Sequence, residues 1–132
     1  MYYLDSNFLI DYLRNNSSNL IEDLRLISPK EIKVPSIVKA ELMAGAYKKK
    51  NVEQAIRDVE KITSFFEVVS FDDDAAKVYG KIRAELESKG RTIGSNDLLI
   101  AALVLSRGGI LITDNTKEFC HIEGLRLENW NK

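Results

Sequence analysis

Four acidic residues, Asp5, Glu41, Asp97 and Asp114, are far apart along the 132-residue chain but hold equivalent places beside its apolar segments. Asp5 directly follows Tyr2–Leu4, and Asp114 directly follows Ile110–Thr113. Both therefore stand at the carboxyl end of a short predicted strand. Asp97 falls in the first turn of a predicted helix that feeds the second of these strands, and Glu41 in the second turn of a helix following Ile32–Val34. A helix feeding a parallel strand runs antiparallel to it, so its N-terminus lies at that strand's carboxyl end. Ligands in open α/β sheets bind beyond this edge. Carboxylates gathered there repel one another, and one or more must take up a proton unless a cation intervenes. Hard oxygen ligands with open positions suit magnesium or manganese. Such an ion lowers the pKa of a water and stabilises charge on a phosphate, so phosphodiester hydrolysis is the natural use of the site.

Each acid taken alone has a plainer explanation. An Asp after a strand is commonly a turn or cap residue, and an Asp in a first helical turn favours the helix dipole. Glu41 is harder to dismiss, because it lies beside Leu42 on a stripe that should face the protein, where an unpaired carboxylate is costly. The edge they share is what points to a site. Strand order, which spacing does not supply, decides whether they converge.

The elements that would position these acids follow from periodicity and punctuation. Strands are predicted at Tyr2–Leu4, Ile32–Val34, Val68–Phe71 and Ile110–Thr113, with a further strand at Leu125–Leu127. Helices are predicted over Asn7–Leu13 with Ser6 as N-cap, over Asn19–Ile27 up to Ser28-Pro29, and from Ser36 as cap to about Ala46. Asn51–Phe66 places Ala55, Ile56, Val59, Ile62 and Phe66 at helical spacing. Asp72–Ser88 turns Ala75, Ala76, Tyr79, Ile82 and Leu86 inward and is closed by Gly90. Ser95 caps a helix from Asn96 to Arg107, apolar nearly all round and so buried on more than one side, ended by Gly108-Gly109. The alternation predicts an α/β/α sandwich with a central, mostly parallel sheet of four or five strands, in one domain over 1–132.

Composition narrows the function classes. Nineteen Lys and Arg against 20 Asp and Glu give a formal charge of −1, not the basic excess of a protein that holds nucleic acid by bulk charge. Any such contact must be local and rely on a bound cation or a small basic patch. The single cysteine, Cys120, and single histidine, His121, exclude a disulfide framework and the usual zinc site. No basic leader precedes an apolar run, and Leu98–Ser106 is too short to span a bilayer. A soluble, cytoplasmic protein without membrane contact is expected. Lys48-Lys49-Lys50 reads as a solvated helix end. Arg83 and Lys89 precede a loop holding Arg91 and Thr92, and Arg91 is expected to touch phosphate or a protein partner. Ser6 and Thr113 are placed to orient ligands or water by hydrogen bonding.

Several short stretches together carry a family resemblance. They are Leu4-Asp5-Ser6-Asn7, Glu41-Leu42 with Gly45, Asp97 with Ile100-Ala101-Ala102, Thr113-Asp114-Asn115 followed by Glu118-Phe119, and Gly124-Leu125-Arg126-Leu127 before Trp130. In this order, over nearly the whole chain, the sequence resembles PIN domains, specifically VapC-type toxins. The resemblance implies a magnesium- or manganese-dependent endoribonuclease of a type II toxin–antitoxin pair, acting on structured RNA such as tRNA. It also implies a small antitoxin whose tail occupies the active-site groove, a homodimer and a toxin–antitoxin hetero-oligomer. Asp5 and Asp97 match the family's metal-holding positions, and Glu41 its third acid. Many PIN domains carry an acid two residues after the threonine, where this chain has Asn115. Asp114 is one place early and Glu118 lies further on, so the residue completing a second metal position is open. Two other readings are a catalytically inert PIN-fold binding module and a magnesium-binding receiver domain. The receiver would need a phosphoacceptor among Asp72-Asp73-Asp74 after the third strand, and a lysine near the last strand.

Overall fold

Short β-branched and apolar runs pair into a sheet whose strands are β1 (Tyr2–Leu4), β2 (Ile32–Pro35), β3 (Glu67–Val69), β4 (Ile110–Ile112) and β5 (Arg126–Glu128). The computed structural model describes residues 1–15 and 29–130. The helix expected over Asn19–Ile27 lies outside them. The five strands run in the order β3-β2-β1-β4-β5, and every neighbouring pair is parallel. A wholly parallel sheet needs helices on both faces. These are α1 (Ser6–Asn15), α2 (Ser36–Ala46), α3 (Val52–Thr63), α4 (Asp73–Ser88), α5 (Ser95–Ser106) and a short α6 (Thr116–Phe119).

The core lies where the central strands meet α5. Leu4, Ile32, Val34, Leu111 and Ile112 are buried on the strands, and Ile100, Leu103 and Val104 on α5 have no exposed surface. Because α5 buries residues right round its circumference, no polar stripe is present in its middle, as the sequence anticipated. Gly90 and Gly108, expected to close α4 and α5, do so at φ 69° and 64°, a region that side chains with a Cβ disfavour.

Local boundaries differ from expectation where side chains compete for caps. Ser6, Ser36 and Ser95 are first helical residues rather than caps. Pro35 and Gly94 stand at the N-cap positions of α2 and α5 without a side-chain bond, and Ser36 Oγ accepts instead from the Phe71 N–H at 3.2 Å. Working caps are Asn51, accepting from the Gln54 N–H, and Asp72, accepting from the Ala75 N–H. The helix expected to reach Phe66 stops at Thr63, whose hydroxyl bonds back to the Val59 carbonyl at 2.8 Å, a bond that competes with helix continuation. Ala76, expected inward, is exposed, since the buried stripe of α4 runs through Ala75, Ile82 and Leu86. The third and fifth strands are each offset by one residue from expectation at their starts.

Candidate active site

Strand order answers what spacing left open. The chain moves from β1 to β2 and β3 on one side, then crosses to β4 and β5 on the other, so the switch point lies between β1 and β4. Such a crevice is where open α/β sheets bind ligands. Asp5 stands at this point. Its N–H donates to the Ile112 carbonyl at 3.0 Å, continuing the pairing of β1 with β4.

Asp5 is only 2% exposed. Its Oδ1 accepts from the Ser6 N–H at 2.8 Å and its Oδ2 from Thr113 Oγ1 at 2.7 Å. The buried Thr113 hydroxyl accepts in turn from the Asn115 N–H at 3.0 Å. The carboxylate is thus locked in one orientation by the backbone of α1 and the end of β4. Burial pushes its pKa up, the hydrogen bonds from Thr113 and Ser6 oppose this, and the Asp114 charge adds to it.

Asp97, in the first turn of α5, is half-buried. Its carboxyl is raised from the usual 3.8 to about 6, first by burial and then by the negative charges of Asp5, Glu41 and Glu118. Those three acids are therefore its electrostatic neighbours. They arrive on the end of β1, the second turn of α2 and α6 respectively. Glu41 Oε1 and Glu118 Oε2 are buried without a hydrogen-bond partner. A buried polar atom left unsatisfied costs about 1–3 kcal/mol, and more when charged.

This donor set fits a hard divalent cation, which would satisfy the orphaned oxygens and offset both the burial and the repulsion that raise Asp97. Among the described residues, no three acid, histidine or cysteine side chains are gathered tightly enough to hold an ion by themselves. Mutually repelling carboxylates stand apart, and magnesium usually takes only one or two of them and keeps several waters.

Asp114 and Glu118 meet the cluster differently, Asp114 through its charge on Asp5 and Glu118 through its charge on Asp97. Asp114 is exposed at the rim, its Oδ1 accepting from Asn7 Nδ2 at 3.3 Å, and it is not among the charges acting on Asp97. Glu118 is drawn in because α6 anchors on Phe119, which has no exposed surface. A four-residue helix in a polar stretch gives little periodicity. The available signal was a lone phenylalanine next to an acid.

Other expected residues lie further out. Arg91 is exposed in the α4–α5 connection, its Nη1 3.2 Å from Nε2 of the exposed His121. Lys48, Lys49 and Lys50 are exposed. Lys48 and Lys49 join Arg14 around a groove of about 490 Å³ between α1, α2 and α3. Ile10, Leu13, Leu42 and Val59 line its apolar part, and Glu41 also lines it, so the groove reaches one acid of the cluster. Asp72, the receiver-type candidate, is occupied as a helix cap and as a partner of Arg107 at 3.5 Å. No helix among the described residues is long and apolar enough to cross a membrane.

Comparison with known proteins identifies the family and the fold. The chain is 38% identical to Ribonuclease VapC2 of Rickettsia felis, over 100% of this chain and 99% of that protein. It is 36% identical to the tRNA(fMet)-specific endonuclease VapC of Shigella flexneri, covering 98% of each. Its fold superposes on the crystal structure of VapBC2 from Rickettsia felis bound to a promoter DNA fragment with a TM-score of 0.94, at 37% identity and 98% coverage of both chains. A family profile described as PIN domain matches residues 2–125. With acids from three of its elements placed around Asp97 at the switch point of a parallel sheet, the chain belongs to the PIN domain family.

Proposed function

We propose that this chain is a magnesium-dependent endoribonuclease, the toxin of a type II toxin–antitoxin pair, that hydrolyses phosphodiester bonds in structured RNA such as tRNA. The observation that carries the reading is the convergence of Asp5, Glu41 and Glu118 on Asp97, with two buried carboxylate oxygens left unpartnered. Asp5 and Asp97 are the residues that would hold magnesium, with manganese as substitute, and Glu41 and Glu118 complete the set directly or through water. When bound, the cation supplies Lewis acidity toward the phosphate and lowers the pKa of a water. Ser6 and Thr113 fix Asp5 so that little reorganisation is needed at the reacting phosphate. Glu118 supplies the fourth acid that Asn115 does not, which favours an enzyme over an inert binding module. Asn115 serves the scaffold through its N–H. Asp114, tied to Asn7, borders the site.

The names of the relatives support tRNA as substrate, one of them being a tRNA(fMet)-specific endonuclease. The groove supports a partner with an amphipathic tail: apolar walls, Arg14, Lys48 and Lys49 for acidic groups, and Glu41 for a basic one. That partner is the antitoxin, in a hetero-oligomer of the kind named by the VapBC2 structure of Rickettsia felis, and the toxin itself is read as a dimer from the family resemblance alone. The decisive test uses toxin purified free of antitoxin, incubated with tRNA(fMet) transcript in EDTA, magnesium or manganese. Cleavage in the metal buffers only, abolished by Asp5→Asn, is expected. Equal cleavage in EDTA, or a wild-type rate for Asp5→Asn, refutes the assignment.

A further inference from the structure

A second, smaller pocket of about 140 Å³ lies between α4 and the loop that enters α5, lined among others by Tyr79, Arg83, Arg91, Thr92 and Ser95. Arg83 is held in place rather than free to wander. Its Nε donates to Glu87 Oε2 at 3.1 Å, its Nη1 donates to the Tyr79 hydroxyl at 3.0 Å, and its guanidinium carbon lies 5.9 Å from the Tyr79 ring centroid. Two of its five N–H donors are thereby used, leaving the rest available. Arg91 is placed by its backbone, since its N–H donates to the Leu86 carbonyl at 2.9 Å. Among the described residues it has no carboxylate partner, only the His121 imidazole at 3.2 Å. Thr92 and Ser95 add hydroxyl groups that engage no partner among the described residues. Glu87 is the one acid in the lining, so the pocket carries a surplus of positive charge on a chain whose net charge is −1.

Two chain segments run from the pocket towards residues of the acidic cluster. Ser95 and Leu98, on its wall, flank Asp97 on α5, and a Cβ at Gly94 in the entering loop would stand 3.7 Å from Asp97 Oδ2. His121, which bonds Arg91, follows α6 and so follows Glu118 closely. A guanidinium fork matches a phosphate's oxygens in two directions at once. We infer that Arg91, with Arg83 and the hydroxyls of Thr92 and Ser95, binds a backbone phosphate of the RNA away from the bond that is cut. The inference rests on the RNA-cleaving reading above. It explains how a chain without bulk positive charge retains an anionic polymer: phosphate contacts position the substrate and carry no sequence information.

The test measures binding of tRNA(fMet) transcript by the full chain carrying Asp97→Asn, in calcium, over a range of salt. Arg91→Gln is expected to weaken binding several-fold and to make the slope of log Kd against log salt shallower by about one, the signature of one lost phosphate contact. Arg83→Gln should act in the same direction, Arg91→Lys should recover part of the affinity, and Lys77→Gln, on the same helix outside the pocket, should change neither quantity. Thermal unfolding of each variant separates local from global damage. An unchanged slope and Kd for Arg91→Gln in a folded protein overturns the inference, as does a loss confined to antitoxin binding. Absence of tRNA cleavage by the wild-type chain would instead strike the underlying reading.

Discussion

Asp97→Asn should destroy the nuclease and at the same time stabilise the metal-free protein. In the folded chain the Asp97 carboxyl is lifted from 3.8 to about 6. The folded state therefore binds more protons than the unfolded one between about pH 4 and pH 6. This group's contribution is most favourable below about pH 4 and is progressively lost as pH rises through about 6. Without solvent screening the cost at neutral pH would be about 3 kcal/mol. Asp97 is only half-buried, so screening reduces it to roughly 1 kcal/mol. For a chain of this length that is about 3–5 °C in Tm. The assay is thermal unfolding in EDTA at pH 8 and pH 4, with magnesium added in a parallel series. Asp97→Asn should melt about 3–5 °C above wild type at pH 8, match it near pH 4, and gain less from magnesium, because binding to the folded state stabilises in proportion to affinity. A lower Tm at pH 8, or the same offset at both pH values, would refute the electrostatic account of the cluster.

Three further outcomes follow from the geometry. Glu118→Gln should lower the cleavage rate by roughly 10²-fold or more while Asp114→Asn lowers it less than about threefold, since Glu118 has a buried oxygen and acts on Asp97 whereas Asp114 is solvent-exposed and acts on Asp5 rather than Asp97; single-turnover cleavage of tRNA(fMet) transcript compares them, and the reverse ranking would restore Asp114 as the fourth acid. Thr113→Val removes the donor to Asp5 and the acceptor for the Asn115 N–H, and should cost about 1–3 kcal/mol by urea unfolding together with a larger loss in kcat than in substrate affinity. Leu103→Ala, at a site with no exposed surface on α5, should destabilise by about 2–5 kcal/mol while leaving the metal dependence of cleavage unchanged.

Much of this protein was written in local patterns. The alternation of short apolar runs with amphipathic helices determined a parallel α/β sheet, because parallel strands need crossover helices and those helices need one apolar face. The same alternation placed Asp5, Glu41 and Asp97 at one edge of the sheet, since each sits at the end of a strand or the beginning of a helix. Residues of α5 announced burial on all sides by having no polar stripe, and Gly90 and Gly108 marked helix ends that only positive φ permits. Tertiary structure decided what neighbours in space required. The order β3-β2-β1-β4-β5 brings β2, β1 and β4 side by side and so gathers their acids. No spacing along the chain encodes strand order, which depends on how whole layers pack. That Glu118 rather than Asp114 acts on Asp97 has the same origin: burial of Phe119 pulls a four-residue helix inward, while Asn7 holds Asp114 at the rim. Local propensity sets which elements form, and the competition for a shared core sets which of their side chains meet.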